Sequence, residues 1–338
     1  MPRVLLEIGH PGHVHFFRNA SHILLKKGWD VFAYSRNKAD CFNLLKREAI
    51  KTYMTREDNS VSSKFANLPG RSLSVAALAR DLKVDVLSGV HPIYTSIASR
   101  LVRKPCIGFA DTDHAKEQII IYRTNCRKIY TPVSYSVNLG KKHRRYRGFH
   151  ELSYLHPRYF KPDMSLIEES GVLDQGPPIV VRVIDWNATH DVGVQKKSWE
   201  PEFIDEFGRD HRIVISCEGE VPRNLREYLN PLPSHHFHHL LAFSKLCVGP
   251  GATTSSEAAM LGTPAVYTNP LRLGYIEQLQ KEYGLVQIER EPHRIIEKAR
   301  NMIQVSKSEY ESRKQRLLAE SCDVTQLVCK ALEEYVKQ

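Results

Sequence analysis

Short apolar runs alternate with helical stretches along the first third of the chain, and this alternation restricts the possible folds more than any other feature. The first run, Val4 to Ile8, is followed by a helical stretch from about Phe16 to Lys27 and a cap at Gly28. A repeated unit of this kind places a helix between two parallel strands. The alternation continues through apolar runs at 31–34, 84–87, 106–110 and 128–131 and a helical stretch at 39–48. The sequence therefore predicts an α/β fold with a doubly wound parallel sheet.

The alternation breaks at 139–162 and then starts again, which indicates two domains. The break contains a dense basic segment at 141–147 and two prolines, a composition typical of an interdomain connection. Because 338 residues at about 150 residues per domain also suggest two domains, we place an N-terminal Rossmann-like domain at 1–160 and a C-terminal one at 161–321. The second domain has apolar runs at 179–184, 212–216, 246–248 and 265–267, and an amphipathic closing helix is predicted at 324–336.

Charge and composition narrow the class of partner. Lysine and arginine number 48 against 38 acidic residues, and the formal charge of +10 favours anionic partners. No helix-turn-helix, zinc-finger or RNA-binding aromatic motif accompanies this charge, so nucleic acid is not expected as a partner. Seven scattered cysteines without CxxC spacing argue for a reducing compartment. With no signal peptide and no run of about 20 apolar residues, we expect a cytoplasmic protein.

A glycine-containing turn between an apolar run and a helix is the most informative segment. Gly249 and Gly251 allow the backbone to approach a ligand, and the hydroxyls of Thr253 and Thr254 then open the helix. The free N–H groups and partial positive charge of a helix N-terminus suit a diphosphate, and Glu257 in the first turns can accept hydrogen bonds from ribose hydroxyls. In the structural alternative, Thr254 and Glu257 form a capping box that satisfies the helix's own amides.

Three histidines, His10, His13 and His15, follow the first predicted strand in what we predict to be a loop. Open parallel sheets bind ligands at the carboxyl ends of their strands. The imidazoles can supply a general base or hydrogen-bond donors to an anion. The three histidines have no acidic or cysteine residue beside them at the spacing typical of metal ligands, so no metal is expected. A helix-capping loop with solvated histidines is the structural alternative.

An acidic pair, Asp111 and Asp113, also follows directly after a predicted strand. Two carboxylates in this place can serve in acid–base chemistry, although Asp is also a common N-cap residue. The sequence leaves both interpretations open.

Three further features carry weaker signals. Arg182 interrupts an apolar run, where it can face a phosphate or pair with a buried acid. For the basic segment at 141–147, the sequence leaves two interpretations open: a solvated loop, or a segment that contacts anionic lipid. The polar face of an amphipathic helix, rather than a metal site, is favoured for His235, His238 and His239.

Taken in their order, these segments resemble the glycosyltransferase-B (GT-B) superfamily and, more closely, an uncharacterised, mainly archaeal family of unknown function. The superfamily includes the N-acetylglucosaminyltransferase that completes lipid II and the UDP-N-acetylglucosamine 2-epimerases. The resemblance covers nearly the whole chain and implies two Rossmann-like domains facing a cleft, with the segment 322–338 crossing back to the N-terminal domain. The motifs that carry it are His10–Phe17, Asp111–Ala115, Tyr154–Leu155, Val181–Arg182 and Glu257–Pro264.

The resemblance also implies roles for single residues. Glu257 corresponds to the ribose-binding glutamate, and His13 to the histidine of the Gly-His-Val loop in the lipid II transferase. The nucleotide-diphosphate cradle would consist of Gly249, Gly251, Thr253 and Thr254. The chain departs from these relatives in three places: a longer glycine-rich loop is replaced by His10-Pro11-Gly12, a glutamine-rich sugar motif is not clear around Tyr275 to Gln280, and no Asp follows Val90-His91-Pro92 as it does in the epimerases.

We therefore expect a metal-independent GT-B-type glycosyltransferase without a cofactor, which uses a nucleotide-sugar donor with UDP as the favoured nucleotide. Backbone amides at 251–254, assisted by Arg182, would stabilise the leaving diphosphate. His13, or in second place Asp113, would take the proton of the acceptor hydroxyl, and His10 and His15 would contact substrate. A lipid-linked sugar or a polysaccharide is the expected acceptor, with peripheral contact to the inner face of the membrane. The alternatives are an enzyme like the UDP-N-acetylglucosamine 2-epimerases and a non-catalytic nucleotide-sugar-binding protein.

Overall fold

The computed structural model describes residues 1–36, 39–48, 50–55, 67–183, 199–217, 221 and 223–336. The chain divides into two units. Unit 1 consists of Met1–Tyr154 together with Ser321–Gln338, and unit 2 consists of Leu155–Glu320. Along the described part of the chain, no helix combines the length and the apolar character that a membrane span requires.

A seven-stranded parallel sheet forms the centre of unit 1. Its strands are β1 (Arg3–Ile8), β2 (Asp30–Arg36), β3 (Lys51–Thr55), β4 (Val86–Val90), β5 (Cys106–Phe109), β6 (Lys128–Pro132) and β7 (His143–Tyr146). They lie in the order β3-β2-β1-β4-β5-β6-β7, and every neighbouring pair is parallel. The connecting helices are α1 (Pro11–Lys26), α2 (Ala39–Arg47), α3 (Leu68–Asp81), α4 (Tyr94–Val102) and α5 (Lys116–Asn125).

The strand order of unit 1 changes direction between β1 and β4. Val4 in β1 pairs with Val31 of β2 on one side and with Val86 of β4 on the other. Open α/β sheets bind their ligands outside the carboxyl ends of the strands at such a point. The loops that follow β1, β4 and β5 therefore meet at one place of unit 1.

A helix near the end of the chain completes unit 1. After α6 (Leu152–Leu155), which straddles the boundary of the two units, and the helices of unit 2, the chain returns with α14 (Val324–Glu333). This helix packs against α1, and its buried face includes Val324, Val328 and Leu332. The predicted helical spacing at 324–336 thus describes a real amphipathic helix; residues 337 and 338 lie outside the described part of the chain.

Unit 2 contains a five-stranded parallel sheet in the order β12-β11-β10-β8-β9. The strands are β8 (Ile179–Val183), β9 (Ile213–Cys217), β10 (Leu246–Gly249), β11 (Ala265–Tyr267) and β12 (Val286–Ile288). The helices are α7 (Ser165–Glu168), α8 (Glu200–Phe207), α9 (Phe237–Phe243), α10 (Ala252–Leu261), α11 (Gly274–Gln278), α12 (Pro292–Gln304) and α13 (Lys307–Glu320). The order reverses between β10 and β8, so the ends of these two strands lie side by side. The predicted strand at 179–184 extends to Ile184, which lies outside the described residues.

Two expectations from the sequence are wrong. The segment with His13 and His15 is not a loop, because α1 begins at Pro11. Proline at the first helical position is already set for a helix, and the His10 side chain accepts the Gly12 N–H as the N-cap. The basic segment at 141–147 is not an interdomain connection either: it forms a short 3₁₀ turn and then β7, the edge strand of the first sheet, paired with β6.

Candidate functional site

The switch point of unit 2 is built around the close approach of two strand ends. Gly249 ends β10, and a Cβ atom on it would lie 2.2 Å from the carbonyl oxygen of Arg182 on β8. A Cβ on Gly251 would lie 3.3 Å from Cγ of the same arginine. Only glycine allows the turn to pass this close to the arginine, whose Nη1 donates to Ser216 Oγ on β9 at 2.9 Å. Arg182 is thus packed along the turn that precedes α10.

This turn leads into a helix whose N-terminus has no side-chain cap. Gly251 is the N-cap residue of α10, and among the described residues no side chain accepts a hydrogen bond from the first turn of this helix. Ser255 N–H is the first amide that bonds back, to the Gly251 carbonyl at 2.9 Å. The preceding amides of 252–254 therefore present the orphan donors and the positive end of the helix dipole. The capping box of Thr254 and Glu257 does not form.

Glu257 lies further along α10 and is held by a histidine. Its Oε1 atom is 2.9 Å from His238 Nε2 on α9, and the carboxylate is almost completely buried. A carboxylate oriented in this way can accept hydrogen bonds from a pair of hydroxyl groups. Thr254 is buried beside it, whereas Thr253 is exposed.

The switch point of unit 1 holds a carboxylate between two imidazoles. Asp111, directly after β5, has its Oδ1 atom 3.0 Å from His91 Nε2 and its Oδ2 atom 3.5 Å from His150 Nδ1. His91 follows β4, and His150 follows β7. The far nitrogens, His91 Nδ1 and His150 Nε2, are buried and have no hydrogen-bond partner within the described part of the chain.

The pKa values in this cluster follow from burial and mutual contact. Burial raises the pKa of Asp111, but the His150 imidazole and the hydrogen bond from His91 outweigh it and hold that pKa well below its usual range. Burial lowers the pKa of His150 to about 4. Burial, reinforced by His91 and His10, lowers the pKa of His13 to about 3. At neutral pH Asp111 is therefore ionised, while His13 and His150 are neutral.

Glu7 on β1 positions the segment that carries His91. Its carboxylate accepts hydrogen bonds from the Ile93 N–H at 3.2 Å and from the N–H and Oγ1 of Thr95, each at 2.7 Å. Desolvation by burial raises the pKa of Glu7 in spite of these bonds. The main chain of His91 is itself unusual, with φ of +49°, a conformation that side-chain-bearing residues rarely adopt.

The three histidines predicted as a group have separate surroundings. His13 Nδ1 accepts the Gly9 N–H at 3.2 Å, and its ring centroid is 6.1 Å from that of His10. His10 is the N-cap of α1. His15 lies on the helix, with its ring 5.3 Å from that of Tyr154. His13 alone of the three belongs to the cluster around Asp111.

Asp113 is engaged in a different contact. Its Oδ2 atom accepts hydrogen bonds from the N–H of Ser136, at 3.0 Å, and from the Ser136 hydroxyl. The carboxylate thus ties the loop after β5 to the loop after β6. Of the acidic pair, Asp111 is the member that meets the histidines.

The sequence predicts neither His91 nor His150 as a site residue, and it places His238 on the polar face of an amphipathic helix rather than against Glu257. His91 and Asp111 follow neighbouring strands, so the strand order β1-β4-β5 would have brought them together, but His150 comes from the far edge strand. No group of three or more residues that could hold a metal ion occurs within the described ranges. A site that works without a metal stays a prediction.

Sequence comparison shows which known proteins this chain is similar to. A family model described as "Protein of unknown function (DUF354)" matches residues 3–337. An uncharacterized protein of Methanocaldococcus jannaschii is 23% identical over 287 residues, which are 80% of this chain and 82% of that protein.

Solved structures share the fold at low sequence identity. The UDP-GlcNAc 2-epimerase from Neisseria meningitidis, solved with UDP-GlcNAc bound, has a TM-score of 0.71 at 13% identity, covering 99% of this chain and 98% of that one. The glycosyltransferase VinC, solved in complex with dTDP, has a TM-score of 0.64 at 13% identity, covering 99% and 100%. The fold is therefore that of the GT-B glycosyltransferases and the UDP-GlcNAc 2-epimerases.

Proposed function

Since the chain belongs to the DUF354 family and has a GT-B fold, we propose that it is a glycosyltransferase that moves a sugar from a nucleotide-sugar donor to an acceptor hydroxyl. UDP is the nucleotide we favour. Among the fold neighbours, the epimerase was solved with UDP-GlcNAc and VinC with dTDP. The observation that carries the proposal is the uncapped N-terminus of α10 next to the Glu257–His238 pair.

In this proposal, unit 2 binds the donor. The amides of 252–254 receive the diphosphate, because unpaired N–H groups at a helix N-terminus favour an anion. Gly249 and Gly251 keep the turn free of side chains. Glu257, held by His238, accepts hydrogen bonds from the ribose hydroxyls.

The same groups serve the chemical step. When the bond between the sugar and the diphosphate breaks, negative charge grows on the leaving oxygen, and fixed amide dipoles stabilise this charge without having to reorient. Arg182 lies beside the turn and adds a positive charge there. No metal is part of this proposal.

Unit 1 supplies the proton acceptor. The cluster around Asp111, which includes the predicted His13, contains neutral imidazoles next to an ionised carboxylate, a combination suited to general base catalysis. The charge of +10 supports an anionic acceptor, such as a lipid-linked sugar at the inner membrane face.

Donor binding is the first test. Thermal unfolding is measured with UDP-GlcNAc, UDP and GDP-, CMP- and dTDP-linked sugars. A ligand at about 100 times its Kd should stabilise the protein by about 2.7 kcal/mol. Glu257→Ala should weaken this binding at least tenfold, whereas Glu297→Ala, at an exposed position of α12, should leave it unchanged. If no nucleotide or nucleotide sugar stabilises the protein, the proposal is wrong.

A second candidate, a UDP-GlcNAc 2-epimerase, is favoured by the fold match to the Neisseria enzyme. The two reactions differ in their need for an acceptor. Incubation with UDP-GlcNAc alone, followed by separation of the sugar products, decides between them. Formation of the 2-epimer would support the epimerase and contradict the transferase.

A further inference from the structure

The hydrogen bonds around Asp111 determine which nitrogen of His91 carries a proton. Asp111 is ionised, so its Oδ1 atom can only accept a hydrogen bond. His91 Nε2, 3.0 Å away, must therefore be the donor. In the neutral imidazole, the proton then sits on Nε2 and the lone pair is on Nδ1, which is buried and unpartnered among the described residues.

In His13, the ring nitrogen that is left for a ligand is the protonated one, which is the reverse of His91. Its Nδ1 lone pair is already occupied by the Gly9 N–H at 3.2 Å. The nitrogen left for a ligand is Nε2, which carries the proton in the neutral ring and can only donate. A histidine in this state can donate a hydrogen bond to a substrate oxygen, but it does not offer the lone pair that a base needs.

His91 is held in place at some cost to the fold. Its φ of +49° lies in the left-handed region, and residues that keep such backbone conformations cluster at active sites. The backbone N–H of His91 bonds to the Phe109 carbonyl at 2.8 Å, and its ring packs edge-on against Tyr122, with 5.7 Å between ring centroids. Together with Asp111, these contacts fix the direction in which Nδ1 points.

We propose that His91, rather than His13, takes the proton from the acceptor hydroxyl, and that Asp111 is the positioning residue that orients it. This inference rests on the glycosyltransferase function proposed above. As the acceptor oxygen forms its bond to the anomeric carbon, its proton passes to His91 Nδ1. The bond from that carbon to the diphosphate breaks, and its electron pair leaves with the nucleotide. The resulting imidazolium faces the Asp111 carboxylate and later releases its proton to water.

The surroundings of His91 fit this step. The titratable groups that face it are Asp111, His13, His150 and the Tyr122 hydroxyl. Asp111 carries the only charge among these four at neutral pH, and it is negative. It therefore stabilises the positive ring that forms during the transfer, as a carboxylate does in a catalytic triad.

Matched asparagine variants test the assignment. Asparagine tolerates the left-handed backbone of residue 91 and cannot take up a proton. His91→Asn should lower kcat of transfer by a factor of 10²–10⁴, the usual contribution of a general base, with Kd of the donor within twofold. His13→Asn keeps an acceptor for the Gly9 N–H and should lower kcat less than tenfold. The reverse pattern, with His13→Asn the more damaging variant, would overturn the proposal.

The positioning role of Asp111 is tested by comparing kcat in two variants that differ in the hydrogen bond they can make to His91. A residue with a purely structural role would not show this difference. Asp111→Asn can donate to His91 Nε2 and so reverses the tautomer, whereas Asp111→Glu keeps the acceptor. We expect Asp111→Asn to lose kcat as His91→Asn does, and Asp111→Glu to recover at least part of it.

Imidazole ¹⁵N NMR separates failure of this assignment from failure of the proposed function. With ¹⁵N-labelled histidine, and the His91 signals assigned from their loss in His91→Asn, the wild type should show a protonated Nε2 and a bare Nδ1. Asp111→Asn should show the opposite tautomer. This measurement needs no donor or acceptor. A protonated Nδ1 in the wild type would refute the assignment, whereas a protein that binds no nucleotide sugar would refute the function.

Discussion

The two switch points of this chain occupy equivalent places in their sheets, but they offer a ligand different chemical groups. In unit 2, β10 ends at Gly249 and leads into a helix without a side-chain cap, so the groups available at the start of that helix are main-chain amides. In unit 1, the ends of β4 and β5 carry His91 and Asp111, so the groups on offer are titratable side chains. Backbone amides keep their charge distribution at every pH, whereas imidazoles and carboxylates do not. The comparison indicates that, of the two switch points, the one in unit 1 should respond more strongly to pH.

The largest effect is expected when a side chain is added to the glycine turn of the unit 2 site. Gly249→Ala places a Cβ 2.2 Å from the Arg182 carbonyl oxygen, a collision that only a backbone shift can relieve. The free energy of unfolding should fall by at least about 4 kcal/mol, and donor binding should be lost. Gly70→Ala in α3 is the control, because its added Cβ meets no atom within 4 Å. Denaturant unfolding measures both variants, and equal stabilities would contradict this account of the turn.

A smaller effect, dependent on pH, is expected from unit 1. Because burial lowers the pKa of His150 from 6.5 to about 4, the unfolded chain binds more protons than the folded one between these pH values. The free energy of unfolding should therefore fall as the pH is lowered from 6.5 to 4, by roughly 3 kcal/mol for this residue. Asp111, whose pKa is depressed, loses its own contribution only below about pH 4, its unfolded-state pKa.

Urea unfolding across this pH range tests that expectation. His150→Gln should flatten the dependence, while the exposed His114→Gln should keep the wild-type slope. His13 also contributes in this window, because burial lowers its pKa to about 3, so some slope should persist in His150→Gln. An unchanged slope in that variant would show that the unit 1 cluster does not set the acid response.

The smallest effect concerns the contact between Glu257 and His238 in the unit 2 site. Glu257 and His238 are in contact at 2.9 Å and both largely buried. A double-mutant cycle with Glu257→Gln and His238→Ala should give a coupling of about 1–2 kcal/mol in unfolding free energy. Coupling near zero would mean that His238 does not hold Glu257.

Periodicity predicted the sheets well because buried parallel strands are short continuous apolar runs. Ala265–Tyr267 was predicted with the bounds that the structure shows, and Cys106–Phe109 within one residue. Strands β3 and β12 were missed, since Lys51–Thr55 mixes polar and apolar residues and Val286–Ile288 is only three residues long. The start of α1 was misplaced because Pro11 was interpreted as part of a loop rather than as a first helical residue.

The candidate site could be predicted only where its residues are close in sequence. The turn at 249–251 and Glu257 lie within ten residues, and the pattern of a glycine turn before a helix points to an anion. His91, Asp111 and His150 are separated by 20 and 39 residues, and they meet only because the topology of the sheet brings strand ends together. Which aspartate of the pair 111 and 113 faces the histidines depends on the direction of each side chain, which sequence spacing alone does not give.

The return of α14 to unit 1 has a consequence for how the chain matures. Residues 324–333 emerge from the ribosome after the whole of unit 2. Once Tyr154 has been added, about 170 further residues must be synthesised before this helix can cover the apolar face of α1. The first unit to be translated is thus the last to be finished. Release of a chain that stops before Val324 would leave that face permanently open to other nascent proteins.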